Sequence, residues 1–500
     1  MRKKVLIVTS VIIVILLGLF ITVAFFPNIY INTGKINSFQ EKINSQYEGL
    51  QVNLNANTFK ASYDSGLFNK THYKLKLKDA SIQVSLDLLR KHLPEEILEE
   101  YSNMEEGSNI LLSVSRLKLI YGPFDKYLAV KDLRGIKVLT YTNNIERDEG
   151  IKGEIDKIKT NKIDLSPLLE NEYNNFREAY TDILINNPDY EVSIANVNIQ
   201  LKNNDVISNL VFEKLKFDQE TSTEIARLMN NKSDKDIEEI LKSGKEKQIS
   251  KVSLSGAKLN TLSDNSSYNY ALDSMSFTSS FEPQASNFMA YRVALKLGGL
   301  ALSAEGDEKT VNTYKMLDGL VQFDGSFAIE NITPKLAKNY MNLIKYSRAG
   351  AASGVGNFQE LAGYLSALMA SIKEAKPKIL LDVNPLKHKL LEAYIDGDLA
   401  FTENSNIPLG VINIKSTSLD ELENDLAEND ILNENSMNII RTIKGYLKKS
   451  DNNMYAATVE IKNQMPYIFI NGQPLTGPQL QPSMPDTNTN PFPQIDEGVK

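Results

Sequence analysis

The sequence predicts an α+β fold, mainly antiparallel β: an extended sheet or stacked hairpins with helical insertions, preceded by one transmembrane helix. Three observations carry this. Many segments alternate apolar and polar residues with a period of two, the pattern of a strand with one buried and one wetted face. Capped segments of helical period interrupt them. An unbroken apolar run stands near the N-terminus.

That run extends from Val5 to Phe26. As a helix it is about 33 Å long, enough to cross a hydrocarbon core about 30 Å thick. A cleaved signal peptide has an apolar region of about 7–15 residues and then a small-residue cleavage site. Here the run ends in Phe25, Phe26 and Pro27. An uncleaved anchor is the expectation, and a long signal peptide is the alternative. Arg2, Lys3 and Lys4 precede the run, and no basic residue follows until Lys35. The basic end stays in the cytoplasm. The expected topology is a single pass with the N-terminus cytoplasmic and the bulk of the chain beyond the membrane.

The strands follow. "LQVNLNA" puts Leu50, Val52, Leu54 and Ala56 on one face, and "YKLKLKD" sets Tyr73, Leu75 and Leu77 against Lys74, Lys76 and Lys78. "SIQVSLDLL" gives Ile82, Val84, Leu86 and Leu88. "YEVSIANVNIQLKN" starts with Tyr190, Val192 and Ile194, then resumes at Val197, Ile199 and Leu201. The one-residue slip predicts a bulge. "SYNYALDSMSF", "YRVALKLGGLALSAEG", "LVQFDGSFAI", "MYAATVEIKN" and "MPYIFINGQPL" continue the pattern. One-sided alternation in so many segments implies antiparallel sheet. A doubly wound parallel sheet would show continuous Val/Ile runs between crossover helices.

The helices have their own punctuation. "PLLENEYNNFREAYTDILI" has Ser166 as N-cap and Pro167 at N1. "TEIARLMNNKSDKDIEEILKSG" reads as two short helices ending near Gly244. Thr333 caps "PKLAKNYMNLIKYSRAG". "NFQELAGYLSALMASIKEAKPK" places Leu361, Tyr364, Leu365, Leu368 and Ile372 on one face, and Pro377 stops it. "LDELENDLAEND" and "NSMNIIRTIKGYLKK" read as a helical hairpin.

The resulting organisation is a cytoplasmic stub (1–4), the anchor (5–26), a β-rich region (27–160) and a mixed helical region with strands near 190–217 (161–250). A second β-rich region (251–332), a helical pair (333–378), a C-terminal α+β region (379–475) and a disordered proline-rich tail (476–500) complete it. The length allows two or three subdomains or one elongated sheet.

Composition narrows the function. The chain has no cysteine, which removes disulfides, thiolate metal sites and cysteine nucleophiles. Its net charge of −8 argues against nucleic acid as partner and against broad adhesion of the exported surface to anionic lipid. His72, His92 and His388 stand apart, without metal-ligand spacing. "GAASGVGNF", from Gly350 to Phe358, lacks the Gly-Lys-Ser/Thr of a phosphate loop and reads as a connection between helices. The acidic run Asp420, Glu421, Glu423, Asp425, Glu428 and Asp430 lacks EF-hand spacing and reads as a solvated helix face. No local signature names a catalytic, cofactor-binding or metal residue, so no cofactor is expected.

Four short motifs recur in a recognisable order. Thr33, Gly34 and Lys35 follow the apolar run. Tyr63, Gly66, Leu67 and Phe68 lead into an alternating strand. Tyr121, Gly122, Pro123 and Phe124 form a further turn, and Asn471, Gly472, Gln473, Pro474 and Leu475 close the last hairpin. This order resembles the YdgA-like family of bacterial inner-membrane-anchored envelope proteins, a domain-of-unknown-function family. Tyr121 stands where that family often has histidine, and Asn69-Lys70 replaces its usual serines. The resemblance implies a membrane-anchored periplasmic protein and supplies no activity.

The sequence therefore favours a non-enzymatic envelope scaffold or interaction protein. The alternative is a lipid-binding or lipid-transfer protein using the apolar face of a long sheet. A hydrolase of envelope polymers is a third reading and would need carboxylates clustered in a cleft. The expected partners are the membrane itself and a lipid or envelope protein.

Overall fold

A computed structural model describes residues 33–474 apart from 47–48, 67–70, 86–107, 124–126, 143–144, 147–149, 168–181, 184, 204–205, 230–234, 264–265, 285–287, 307–310, 312–317, 354–357, 418, 429–436, 438–440, 442–443, 450–453 and 464–466. The apolar run 5–26 and the tail 476–500 lie outside the described residues. Among the described residues no helix is long and apolar enough to cross a membrane.

The described strands form one 20-stranded sheet. In chain order they are β1 (Leu50–Asn53), β2 (Lys60–Ser65), β3 (His72–Ser85), β4 (Ser108–Gly122), β5 (Tyr127–Thr142), β6 (Ile145–Glu146), β7 (Gly150–Asp164), β8 (Asp189–Asn203), β9 (Val206–Thr221) and β10 (Gln248–Ser263). Then come β11 (Ser266–Pro283), β12 (Met289–Glu305), β13 (Leu320–Ile332), β14 (Lys378–His388), β15 (Glu392–Ala400), β16 (Leu409–Thr417), β17 (Lys448–Lys449), β18 (Met454–Ile461), β19 (Ile468–Ile470) and β20 (Gln473–Pro474). Every ladder is antiparallel, and the long strands pair with their successors from β3 to β5, on through β7 to β16, and finally to β18. Of the two arrangements that the length allows, the described strands take the elongated sheet.

Both edges are blunted. β1 and β2 share the free edge of β3, and β17 and β19 share that of β18. Strands this short present little backbone to a passing chain.

The helices are α1 (Thr33–Gln46), α2 (Thr223–Met229), α3 (Ile237–Leu241), α4 (Pro334–Ser353), α5 (Phe358–Ala375) and α6 (Leu419–Glu428). Their ends follow the capping signals. Thr333 Oγ1 accepts from the Leu336 N–H at 3.1 Å with Pro334 opening α4, and Asp236 accepts from the Glu239 N–H at 2.9 Å to open α3. Ser166 behaves differently: it accepts from the Leu128 N–H at 3.1 Å and donates to Asp164; of the helix expected after it, Pro167 and residues 182, 183 and 185 are helical, and 168–181 and 184 lie outside the described residues.

α2 to α5 join strands rather than cover them, whereas α1 packs on the first strands and α6 reaches Tyr455 of β18. α2 and α3 link β9 to β10, and α4 and α5 link β13 to β14, so both pairs sit at the same end of the strands. There Ile225, Leu228, Ile237, Ile240, Leu241 and Met289 form a small buried cluster with Ala337 and Met341 of α4 against it. Leu365, expected on the inward face of α5, is 44% exposed. α5 packs on α4, through Tyr346 and Tyr364 at 5.2 Å between ring centroids. Such a two-helix unit buries a narrower stripe than a helix lying on a sheet.

The main core lies at the first end of the sheet. Ile36 of α1 packs with Leu54 and Ala56, with Tyr73, Leu75 and Leu77 of β3, and with Val114, Leu117 and Leu119 of β4.

Candidate functional site: the apolar face of the sheet

One face of the sheet is apolar from β3 to β18, because directly opposed residues share a face. One row runs Leu77, Leu117, Leu133, Ile158, Ile194, Leu215, Leu254, Met275, Leu297, Phe323. The next runs Val192, Phe217, Val252, Phe277, Leu295, Gly325, Val383, Ile395, Ile414, Ala457. A third runs Ile199, Leu210, Leu259, Tyr270, Leu302. No charged side chain falls in these rows. At a strand spacing of about 4.8 Å the face follows a contour of about 60 Å, and the longer strands are about 50–60 Å long.

Burial divides this face. Leu77 and Tyr73 are fully buried. From Ile194 to Phe323 every residue of the first row is half-buried, and Leu210 is 38% exposed although it lies between Ile199 and Leu259. Val321 of β13 is also exposed. Apart from the cluster at the Met289 end, which takes in Phe281 of β11 and Ile332 of β13, no described helix packs on these strands.

The face stays continuous because the alternation slips by one residue in nine neighbouring strands at the same level. Apolar residues step by three instead of two at Leu77/Ala80, Val114/Leu117, Leu133/Ile136, Ile155/Ile158, Ile194/Val197, Phe212/Leu215, Leu254/Ala257, Leu272/Met275 and Leu297/Leu300. The slips lie opposite one another: Lys78 faces Arg116 and Ala80 faces Val114, and at the far side Ala257 faces Leu272 and Ser274 faces Gly298. On every second strand the extra residue has positive φ: Asp79 (53°), Gly135 (57°), Asn196 (52°), Gly256 (60°) and Gly299 (62°). The strands between supply Ser115, Asp156, Glu213 and Asp273. Asn196 Nδ2 donates to Asp156 at 3.4 Å, and Ser115 Oγ donates to the Gly135 carbonyl at 3.0 Å. A Cβ on Gly256 would fall 2.5 Å from Glu213 Cγ. Because the side-chain period is two, a slip in one strand alone would turn its far half inside out. A shared slip keeps all nine in phase.

The expected bulge near Asn196 is thus one member of a seam. Its sequence signal is the same in each strand, a three-residue step between apolar positions, but the steps align only once register is known.

The turn motifs fall at the two edges. Tyr63 of β2 and Tyr121 of β4 flank Tyr73 of β3. The Tyr63 hydroxyl donates to the Gly66 carbonyl, and Gly66 has φ 91°. Gly122 ends β4 opposite Tyr127, whose ring stacks on His72 at 4.6 Å, and Pro123 lies in the turn beyond. Thr33, Gly34 and Lys35 begin α1 and do not form a turn of their own. Asn471 and Gly472, with φ 50° and 80°, turn β19 into Gln473 and Pro474 of β20. The Asn471 side chain accepts from the Thr458 N–H at 2.9 Å and donates to the Tyr446 carbonyl at 2.7 Å, sealing the β18 edge. Leu67, Phe68, Phe124 and Leu475 lie outside the described residues.

Polar candidates are accounted for structurally. His388 Nδ1 accepts from the Leu390 N–H at 3.2 Å, which leaves Nε2–H to donate to the Asp318 carbonyl at 3.0 Å. The acidic run on α6 is not simply solvated. Asp420 accepts from Lys449 at 2.8 Å and from the Tyr455 hydroxyl at 2.6 Å and pairs with Lys444, while Glu423 pairs with Arg441 at 2.9 Å and Lys444 at 2.6 Å. Among the described residues no group of His, Asp and Glu has the arrangement of a metal site.

Comparison with protein-family models finds no match, and comparison with curated proteins and with solved structures finds no significant similarity.

Proposed function

We propose that this chain is a lipid-binding protein that holds acyl chains along the apolar face of its sheet. One observation carries the reading: uncharged aliphatic and aromatic rows run across β8 to β13 and stay half-exposed. Soluble proteins rarely leave a contiguous apolar surface of this extent without an occupant. Covering it with hydrocarbon gains about 0.8 kcal/mol per buried methylene. An acyl chain matches a surface that offers no charge and no regular hydrogen-bonding group. The scaffold reading rests on the lack of a site signature, whereas the face is a positive feature with a defined chemistry. The expected N-terminal span would set this face beside a supply of lipid.

Native mass spectrometry of the full chain tests the proposal, using material extracted from its own envelope in polymer discs and then released in the gas phase. Phospholipid should remain bound at defined stoichiometry. Leu254→Asp with Leu297→Asp should lower that number while lipid around the anchor stays. An unchanged lipid count in this variant, with folding intact, would overturn the proposal.

A further inference from the structure

The opposite face of the same sheet carries an unusual charge pattern. Lys78 of β3 lies directly opposite Arg116 of β4, Arg116 opposite Arg134 of β5, and Arg134 opposite Lys157 of β7. Past Ala195 the row continues to Lys214 of β9. The next row holds Lys76 opposite Lys118, then Asp132, Lys159, Ser193 and Lys216. Like charges directly opposed across a ladder destabilise a sheet. Few of them are neutralised. Asp132 takes Lys118 and Arg134, and Glu191 and Asp218 take Lys216. Among the described residues Lys76, Lys78, Arg116, Lys157, Lys159 and Lys214 form no ion pair. Asp79, Asp156 and Glu213 border the rows along the seam without pairing to them. This concentration occurs in a chain whose net charge is −8. At the other end of the sheet the polar face is acidic, with Asp382 directly opposite Asp396.

We infer that the two cationic rows on the polar face of β3 to β9 rest on the anionic headgroup surface of a phospholipid bilayer, whereas the neighbouring row through Ile120 and Ala129 is buried within the chain. Charge complementarity selects an anionic occupant, and a double row of cations that crosses six neighbouring strands suits an extended surface better than a pocket-sized ion. Chain length selects the bilayer. Residues 27–32 join the apolar run to α1, a reach of at most about 25 Å. α1 packs on β1 and the adjoining core of β3, so the basic rows begin at the end of the sheet tied closest to the membrane. Cations within a Debye length of an anionic leaflet are attracted to it. The overall charge disfavours general adhesion, and segregation of charge along the sheet makes contact local and oriented. The inference rests on the N-terminal span and not on the lipid-holding reading, since it concerns the other face and stands whether or not acyl chains are bound.

The test is lysine acetylation footprinting of the full chain reconstituted in nanodiscs, either all phosphatidylcholine or rich in phosphatidylglycerol. Labelling of Lys76, Lys78, Lys157 and Lys159 should fall about fivefold in the anionic discs, and high salt should restore it. Lys415 and Lys448, remote in the sheet, serve as the unchanged reference. Equal labelling in both discs would overturn the inference. Protection by soluble heparin but not by anionic discs would overturn it in favour of a polyanionic partner. The double variant Lys78→Glu with Lys157→Glu places each new carboxylate opposite an arginine. It should keep or raise the melting temperature while Lys76 and Lys159 lose their protection. Undiminished protection in this variant would also count against the bilayer contact.

Discussion

Asp132 is a nearly buried carboxylate in a row of cations, and its two oxygens have unequal surroundings. Oδ2 accepts from Lys118 at 2.9 Å and Arg134 at 3.0 Å, whereas Oδ1 has no hydrogen-bond partner. Burial pushes its pKa up, but the hydrogen bonds and charges of Lys118 and Arg134 outweigh burial and hold it below the usual carboxylate value. A depressed folded pKa contributes stability that is present above the unfolded value and lost as pH falls through the folded one. Asp132→Asn should therefore cost about 2–3 kcal/mol near neutrality. The gap in urea midpoint between variant and parent should narrow as pH falls below about 4. A gap that is constant with pH would mean that the side chain acts by shape alone.

At the scale of elements, α6 is held by its acids. Hydrogen bonds from Lys444, Lys449 and Tyr455 lower the pKa of Asp420, and those from Lys444 and Arg441 lower that of Glu423. Both contributions are in place above about pH 4 and fade as acid protonates the folded carboxylates. Amide exchange in α6 should accelerate on acidification before exchange in β16 and β18 does, after correction for the intrinsic rate. Simultaneous release would show that the clamp adds nothing to the sheet. The strands were legible because a half-wetted strand writes its period directly into the chain. The helix boundaries at Thr333 and Pro377 were legible because capping is local. The seam was legible only at Asn196, where the slip falls inside a short, strongly alternating segment; at Gly256 and Gly299 the same step is diluted by glycine and serine. What could not be read was which surfaces the helices cover. Leu365 has the spacing of an inward residue, yet only the fold shows that α5 leans on α4 and leaves the sheet open. The apolar face followed from alternation, but its openness did not, and the cationic rows on the reverse face appear only when register sets Lys78, Arg116, Arg134 and Lys157 side by side.

Across the whole molecule, one sheet has two thermodynamic halves. At the β3–β5 end the apolar rows are buried among Ile36, Leu54 and Ala56, and truncation there leaves a cavity. Across β8 to β13 the same rows meet no described helix, so truncation removes contacts that were partly solvated already. Leu77→Ala should therefore cost about 3 kcal/mol, and Leu254→Ala about 1 kcal/mol, although the two leucines stand in one row, Leu77 beside Leu117 and Leu254 between Leu215 and Met275. Urea unfolding of delipidated protein measures both. Lipid should then widen the cost at Leu254 and leave that at Leu77 unchanged, because a ligand that binds only the folded state adds its binding energy to stability. Equal costs in the absence of lipid would mean that the second half of the face is closed in solution. An open face with no lipid response would separate the architecture, which would stand, from the occupant proposed for it, which would not.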